Sequence, residues 1–423
     1  MNMTFDISIL EPKEVCINLK LLKLFHFFHL FDPKIKTICN FNVYHIALYI
    51  INCVIGCILM FGMVGYFTEA DNEINIFTDV QSMFCCLVYF LCLVKIITFV
   101  NKTNNIWDLL RVTCINFLSS TQCQKNVGIL HNYREKLIKT TNYITVILIV
   151  LTIQWSLYPL VLLWLQREDA KQSSRRFENV FNFRFPVTIS YYNNNFAIFY
   201  IIEESIGLLL FYMHLMSEVF YISICYVMIA QYEMIQKAYK NVNSELNSKN
   251  INGNKHDING NDCFDDLVSI MNDQQKLFTK LKLFYSTYTF ITLSNVVSYS
   301  GSIIILTYAS VLVFTTSEAI PMFYVIKLIS AFGYMIIILL LVCYLLERIN
   351  NKKESVNFEM YSCNWTTMNL RSKKMLLLSM QLNNANELTI KITPRRIINL
   401  QFFNSVMITC YNIISAMLNI SSK

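Results

Sequence analysis

The chain has 423 residues, of which 55% are hydrophobic and only 15% are charged, and its mean hydropathy of +0.42 is higher than a soluble core requires. Its net charge of +7 does not indicate a nucleic-acid-binding surface, because the basic residues occur in short runs between apolar segments. The composition therefore predicts an integral membrane protein.

Seven segments are long and apolar enough to cross a bilayer, which takes about 20 mostly apolar residues. They cover residues 43–67, 80–100, 144–165, 197–230, 283–314, 321–346 and 397–420. The fourth and fifth are longer than a bilayer requires, so we expect them to tilt or to extend beyond it. The predicted fold class is all-α, with seven transmembrane helices.

The segments between these helices differ in positive charge. Most of the 35 Lys and Arg residues lie in the N-terminal segment and in the second, fourth and sixth loops, whereas the first and fifth loops contain none. Because cytoplasmic segments retain positive charge, this pattern predicts a cytoplasmic N-terminus and an extracellular C-terminus. That orientation is the reverse of the one in G-protein-coupled receptors, so it disfavours that class.

Three segments outside the spans have features of their own. Apolar residues at helical spacing after helix two, such as Ile106, Leu109 and Leu110, predict a cytoplasmic helix. The Asn-rich stretch 241–262 is too poor in apolar residues to offset ordering entropy, so it predicts a mobile insert. The stretch 375–382, which follows the basic residues Arg371, Lys373 and Lys374, predicts a short amphipathic helix that packs under the membrane.

The 14 cysteines do not form a metal-binding or disulfide pattern. Many lie within apolar segments, which favours a role as small hydrophobic residues, and no Cys-x-x-Cys pair occurs. His26 and His29 have no other candidate ligands nearby, so we expect neither a metal nor any other cofactor. No set of acid, base and nucleophile converges, so we do not expect an enzyme.

The last quarter of the chain contains residues with a distinctive order and spacing. They are Tyr361–Trp365, Arg371–Leu378, Pro394, Phe402, Phe403, Ser405, Thr409 and Tyr411. In these residues the chain resembles the insect odorant receptor family, and its length and predicted topology agree with that resemblance. The aromatic-rich approach to helix four, which follows Arg184–Pro186, is also similar to the second extracellular loop of the family.

The resemblance implies an odorant-tuning subunit that pairs with the odorant receptor co-receptor (Orco) in a heterotetramer. Such a channel is non-selective for cations, lies in the plasma membrane of olfactory neuron dendrites and opens when a small volatile apolar odorant binds. Helix seven of each subunit would line the pore. The alternatives are a gustatory-type homotetrameric receptor channel and, more distantly, a metabotropic seven-helix receptor. Membrane lipid and permeating cations complete the expected partners, with no nucleic acid.

This reading divides the chain into four parts. Residues 1–42 form a cytoplasmic segment, and 43–346 hold helices one to six, with the odorant pocket in their outer half and the insert 241–262 on the cytoplasmic side. Residues 347–396 form a cytoplasmic anchor region, and 397–423 form the pore helix and an extracellular tail.

The resemblance also indicates where the ligand and the gate should lie. The candidate ligand-binding residues are Phe84, Leu87, Val88, Trp155, Tyr158, Phe199, Tyr200, Tyr212, Tyr308, Phe323 and Tyr324. Trp155 and Tyr158 are favoured, although an aromatic residue in a membrane helix often serves packing or interfacial anchoring instead. The candidate pore gate is Ile414, Met417 and Leu418; Ile414 and Leu418 are four residues apart and therefore share a helix face.

Glu203, Glu204, Lys327 and Lys95 are among the charged residues that lie within predicted helices, where charges are costly and often functional. We hypothesise that Glu203 or Glu204 pairs with Lys327, with snorkelling to the headgroups as the alternative. Lys95, close to the inner end of helix two, is expected to snorkel.

Overall fold

The computed structural model describes residues 14–25, 37–38, 41–68, 76–165, 176–242, 260–315, 322–385, 388–393 and 395–421. Its helices are α1 (Leu19–Leu24), α2 (Val43–Thr68), α3 (Ile76–Asn101), α4 (Thr103–Leu110), α5 (Thr121–Gln124), α6 (Val127–Leu165), α7 (Ile189–Asn194), α8 (Phe196–Asn241), α9 (Gly260–Thr315), α10 (Met322–Ser362), α11 (Leu370–Ala385) and α12 (Leu400–Ser421). Two short antiparallel pairs join β1 (Thr37–Ile38) to β2 (Phe41–Asn42) and β3 (Lys391–Thr393) to β4 (Arg396–Ile397).

A helix forms over each of the seven predicted spans, which become α2, α3, α6, α8, α9, α10 and α12. Among the described residues, six of them are long and apolar enough to cross a membrane, namely all except α12. Helices suit a bilayer because they satisfy every backbone polar group internally. The structure therefore supports an all-α membrane protein.

Several helices continue far beyond the apolar segments that predicted them. Helix α8 has 46 residues and α9 has 56. At 1.5 Å per residue α8 is about 70 Å long, roughly twice the thickness of the hydrocarbon core. The prediction that these two helices exceed the bilayer is confirmed. Helix α10 also runs on to Ser362, which hydropathy did not show because its last 16 residues are largely polar.

The extended half of α8 is the centre of the core. From Met213 to Tyr239 nearly every side chain of this helix is buried, among neighbours on α6, α9 and α10. A helix that is enclosed on all sides is mostly apolar around its circumference. This stretch fits that pattern, with His214, Glu218 and Gln231 among its buried polar exceptions. Helix α8 therefore fixes the positions of the helices that surround it.

The segment between α3 and α6 is helical and packed, as predicted. Ile106, Leu109 and Leu110 on α4 are fully buried. The Asp273 carboxylate of α9 fastens this segment, since it accepts hydrogen bonds from the Ser120 backbone N–H at 2.7 Å and the Ser119 hydroxyl at 3.1 Å. Asp108 of α4 also forms an ion pair with Lys280 of α9, so α9 holds the segment at two points.

Two further predictions concern the segments outside the spans. Helix α11 forms over the predicted amphipathic stretch 375–382. Most of the predicted insert, residues 243–259, lies outside the described residues.

Buried cysteines pack as small apolar side chains, as their positions in apolar segments predicted. Burial raises the pKa of the Cys123 thiol to about 12, which makes this thiol a poor nucleophile.

Candidate ligand cavity

A cavity of about 150 Å³ lies between α3, α6, α8 and α10, at the end of the bundle that carries the 176–188 loop. Its lining residues are Phe84, Cys85, Val88, Leu148, Leu151, Thr152, Trp155, Ser156, Val180, Phe181, Glu204, Gly207, Leu210, Phe211, His214, Ala331, Tyr334 and Met335. Most are apolar or aromatic, which is typical of a small-molecule site. An apolar cavity of this volume accommodates a ligand about the size of benzene.

One wall of the cavity is a series of aromatic rings from two helices and the loop. The Phe84 ring lies 5.9 Å from the Trp155 ring, and the Trp155 ring lies 6.3 Å from the Phe181 ring, between centroids. Phe183 continues the series at 5.4 Å from Phe181. These spacings are favourable for aromatic pairs, so the loop is part of the cavity wall.

The loop is held in place through its backbone at residues 179–183, here called the 179–183 turn. The Glu203 carboxylate of α8 accepts hydrogen bonds from the N–H groups of Phe181 at 2.6 Å, Asn182 at 3.2 Å and Phe183 at 3.3 Å. Asn182 has a φ of +56°, a left-handed conformation that Asn tolerates better than most residues. This conformation lets three successive N–H groups point toward one carboxylate.

The carbonyl side of the same turn is also held. The Lys327 ammonium of α10 donates to the Val180 carbonyl oxygen at 2.8 Å, and the Gln81 side-chain amide of α3 donates to that oxygen at 2.7 Å. The ammonium lies 4.3 Å from the centroid of the Trp155 ring, within range of a cation–π interaction. Three helices thus hold one turn over the cavity.

The hypothesised ion pair between Lys327 and Glu203 or Glu204 was wrong. Lys327 binds a backbone carbonyl, Glu203 binds backbone N–H groups, and Glu204 accepts from the Ser156 hydroxyl at 2.6 Å. The hypothesis considered only charged side chains as partners. A loop that folds into the bundle offers backbone dipoles that satisfy both charges.

At the opposite end of the cavity, His214 and Tyr334 belong to a buried polar cluster. The Nε2 atom of His214 lies 2.6 Å from the Tyr334 hydroxyl, and Nδ1 lies 3.1 Å from Nζ of Lys95. Lys95 forms an ion pair with Glu218 at 2.8 Å, and Tyr299 donates to the same carboxylate oxygen at 2.8 Å.

The expectation that Lys95 snorkels was therefore wrong, because its side chain is only 1% exposed and faces Glu218. The face of α3 that carries Lys95 packs against α8 and α9 and does not reach the headgroups. Glu218 lies well inside the predicted fourth helix and has the opposite charge. That combination was a signal for a buried pair.

The structure brings three predicted ligand-binding residues together in the cavity lining, which are Phe84, Val88 and Trp155. Leu87 and Tyr158 are not in the lining. The Tyr158 hydroxyl donates to Glu178 at 2.8 Å, and its ring lies 4.9 Å from the Lys327 ammonium.

The remaining predicted ligand-binding residues lie elsewhere. Phe199 stacks on Tyr192 with ring centroids 4.6 Å apart, and Tyr200 donates to the Ser156 carbonyl at 2.9 Å. Tyr212 donates to the Phe25 carbonyl at 2.7 Å, and Tyr308 is 43% exposed on the bundle surface. The side chains of Phe323 and Tyr324 lie outside the described residues.

Sequence reasoning did not single out several of the lining residues, among them Phe181, Gly207, His214, Tyr334 and Met335. His214 carried a usable signal, because it is a polar residue within the long apolar run of helix four. Gly207 also carried one. A Cβ atom there would lie 3.2 Å from Cζ of Phe181, so this glycine permits the close approach of the loop.

The predicted gate residues lie on α12. Ile414 and Leu418 are exposed, at 37% and 50%, and Met417 is half-buried. The two exposed residues lie on one face of the helix, as their spacing predicted. Within the described part of the chain, no group of His, Cys, Asp or Glu could hold a metal ion.

A bundle of membrane-length helices that holds a small apolar cavity under a folded loop has the architecture of a multi-pass membrane receptor for a small molecule. Residues 75–411 match the family model described as 7tm Odorant receptor. The chain therefore belongs to the odorant receptor family of insects, a family of receptors and not of enzymes.

Solved structures show the same fold. The insect olfactory receptor OR5 from Machilis hrabei is similar with a TM-score of 0.69 and 12% sequence identity, over 95% of this chain and 98% of that receptor. The same receptor in complex with eugenol is similar with a TM-score of 0.67 and 14% identity, over the same shares of the two chains. No curated protein matches the sequence significantly.

Proposed function

We propose that this chain is the odorant-binding subunit of a ligand-gated, non-selective cation channel in olfactory neurons. The observation that carries the proposal is the apolar cavity of about 150 Å³ between α3, α6, α8 and α10. The transfer of a small volatile apolar molecule from water into such a site is favourable, whereas a peptide is too large for the site and a sugar is too polar.

The related Machilis hrabei receptor supports this proposal, because one of its structures is a complex with eugenol, a small ligand. In our proposal the ligand of this chain occupies the cavity and contacts Phe84, Val88 and Trp155, the predicted residues that line it. Phe181 adds a contact from the 179–183 turn. Because α3, α6, α8 and α10 all border the cavity, ligand binding would change how these four helices pack against one another there.

The proposed channel is a heterotetramer with the odorant receptor co-receptor, in the dendritic plasma membrane. The N-terminus is cytoplasmic in this arrangement, as the distribution of Lys and Arg predicts. Helix α12 crosses the membrane and lines the shared pore, with residues 347–396 as the cytoplasmic anchor. Large exposed apolar side chains on α12, including Ile414 and Leu418, support a role in contacts beyond one subunit. A ring of such residues can close a pore by excluding water.

Two tryptophans on α6 allow a matched test of the cavity. Trp155 lines the cavity, whereas Trp164 is 73% exposed on the same helix. Currents evoked by a panel of volatile ligands are recorded from cells that express the chain with the co-receptor. We expect Trp155→Ala to shift the half-maximal concentration at least tenfold and Trp164→Ala to leave it nearly unchanged. Equal effects of the two substitutions would contradict the cavity as the ligand site.

The same recordings test the assembly. Currents only when both chains are present support the tuning-subunit role. Currents from this chain alone would favour the gustatory-type homotetramer. A response that requires nucleotide exchange on a G protein would instead support the metabotropic alternative and contradict the channel.

A further inference from the structure

The polar end of the cavity contains a hydroxyl group whose hydrogen has a defined direction. His214 and Tyr334 both line the cavity, and their side chains are joined by a hydrogen bond of 2.6 Å between Nε2 and the phenolic oxygen. Both residues are at most 6% exposed. Either atom of this pair could donate, so the neighbours of His214 decide the direction.

Lys95 decides it. Its Nζ atom lies 3.1 Å from Nδ1 of His214, and an ammonium group can only donate. Nδ1 must therefore accept, which places the ring hydrogen on Nε2 in a neutral imidazole. Lys95 forms an ion pair with Glu218, whose carboxylate lies 2.8 Å from Nζ and also accepts from Tyr299 and Asn295.

With its hydrogen on Nε2, His214 donates to the oxygen of Tyr334. The hydrogen of the Tyr334 hydroxyl is then not used in this bond. Among the described residues, His214 is the one hydrogen-bond partner found for Tyr334. The nearby lining on α10 consists of Ala331 and Met335, which offer no side-chain oxygen or nitrogen. A buried donor with no acceptor is costly, so a ligand that supplies an acceptor gains affinity.

We infer that Tyr334 is a specificity-determining residue that donates a hydrogen bond to a ligand acceptor. The preferred ligands are then small, mostly apolar molecules with a carbonyl oxygen, such as aldehydes, ketones or esters. Lys95 and His214 act as positioning residues that direct the hydroxyl hydrogen into the cavity. This inference rests on the proposed function, since it assumes that the ligand occupies this cavity.

Ligand pairs of equal shape test the inference. Acetophenone and α-methylstyrene differ by C=O against C=CH2, and benzaldehyde and styrene differ in the same way. Dose–response currents are recorded from the full chain with its co-receptor. We expect each carbonyl compound to act at roughly tenfold lower concentration than its hydrocarbon partner, a difference that corresponds to about 1.4 kcal/mol.

The Tyr334→Phe variant removes the hydroxyl and keeps the ring. We expect it to abolish the preference for the carbonyl compounds while the hydrocarbon responses persist, which shows that the variant folds and opens. Tyr308→Phe is the matched control, because Tyr308 is exposed on α9 and outside the cavity lining, and it should keep the preference.

Three results would overturn the inference. They are equal potency of the paired ligands in the wild-type channel, an unchanged carbonyl preference in Tyr334→Phe, and a preference for benzyl alcohol that Tyr334→Phe does not alter. The last would point to Glu204 as the polar contact. Failure of every ligand to open the wild-type channel would instead contradict the proposed function.

Discussion

Glu203 and Lys327 bind the same turn from two different helices. The Glu203 carboxylate accepts hydrogen bonds from the backbone N–H groups of residues 181–183. The Lys327 ammonium donates a hydrogen bond to the backbone carbonyl of residue 180. Each charge is thereby satisfied inside the bundle without a direct pair between them. The 179–183 turn consequently depends on both residues for its position over the cavity.

Replacing Glu203 by Gln should loosen this turn. An amide has one acceptor oxygen in place of two, so at least one of the three hydrogen bonds is lost, at about 1–3 kcal/mol for each buried donor left unpaired. We expect a lower melting temperature of the purified channel and a weaker ligand response. Glu204→Gln, the same change one residue along α8, should lower the melting temperature less. Equal destabilisation by the two variants would argue against the role of Glu203 in holding the turn.

Replacing Lys95 by Met should strongly impair folding. It leaves the Glu218 carboxylate buried without its cation, and breaking such a pair costs about 3–5 kcal/mol. Surface biotinylation should show a large loss of protein at the cell surface. The double variant Lys95→Met with Glu218→Gln should restore part of the surface expression. Lys139→Met, at an exposed position, should behave as wild type. No recovery in the double variant would argue against the pair.

Gly207→Ala should reduce the usable size of the cavity. The added Cβ atom would lie 3.2 Å from the Phe181 ring, so that ring must shift. We expect the half-maximal concentration to rise several-fold for the largest active ligands and little for the smallest. Gly301→Ala is the control, because a Cβ atom there meets nothing within 4 Å. A uniform loss across ligand sizes would indicate misfolding instead.

Ile414→Thr tests the proposed gate. A polar group in an apolar constriction favours its hydration, so the variant should leak current without ligand. Ile408→Thr makes the same change on another face of α12, where the side chain is also exposed. Basal current should rise only for Ile414→Thr. Equal basal currents in the two variants would contradict the assignment of Ile414 to the gate.

The positions of the long helices could be predicted because a bilayer requires continuous apolar segments. The predicted spans begin or end close to the observed limits at Val43, Asn101, Leu165, Phe196 and Thr315. Their extensions were harder to predict. The polar start of α9, from Gly260 onwards, is helical through packing against α4, α5 and α8, and hydropathy does not report such contacts.

The site was predicted only in part. Phe84, Val88 and Trp155 could be chosen because the family resemblance implies a pocket in the outer half of the bundle, and the predicted topology places these residues there. The contribution of Phe181 could not be predicted, because a loop has no periodicity that shows which of its residues point inward. The separation of Phe199 and Tyr212 from the cavity depends on which way each helix is rotated, and a helix that is apolar on all sides does not reveal its rotation.

Helix α8 has no proline along its 46 residues. It holds the turn through Glu203, borders the cavity at His214 and carries Glu218 of the ion pair. These groups therefore lie on one uninterrupted helix that continues to Asn241, well past the cavity. If ligand binding tilted this helix at the cavity, its distant end would move with it as a rigid lever, without a series of separate side-chain rearrangements.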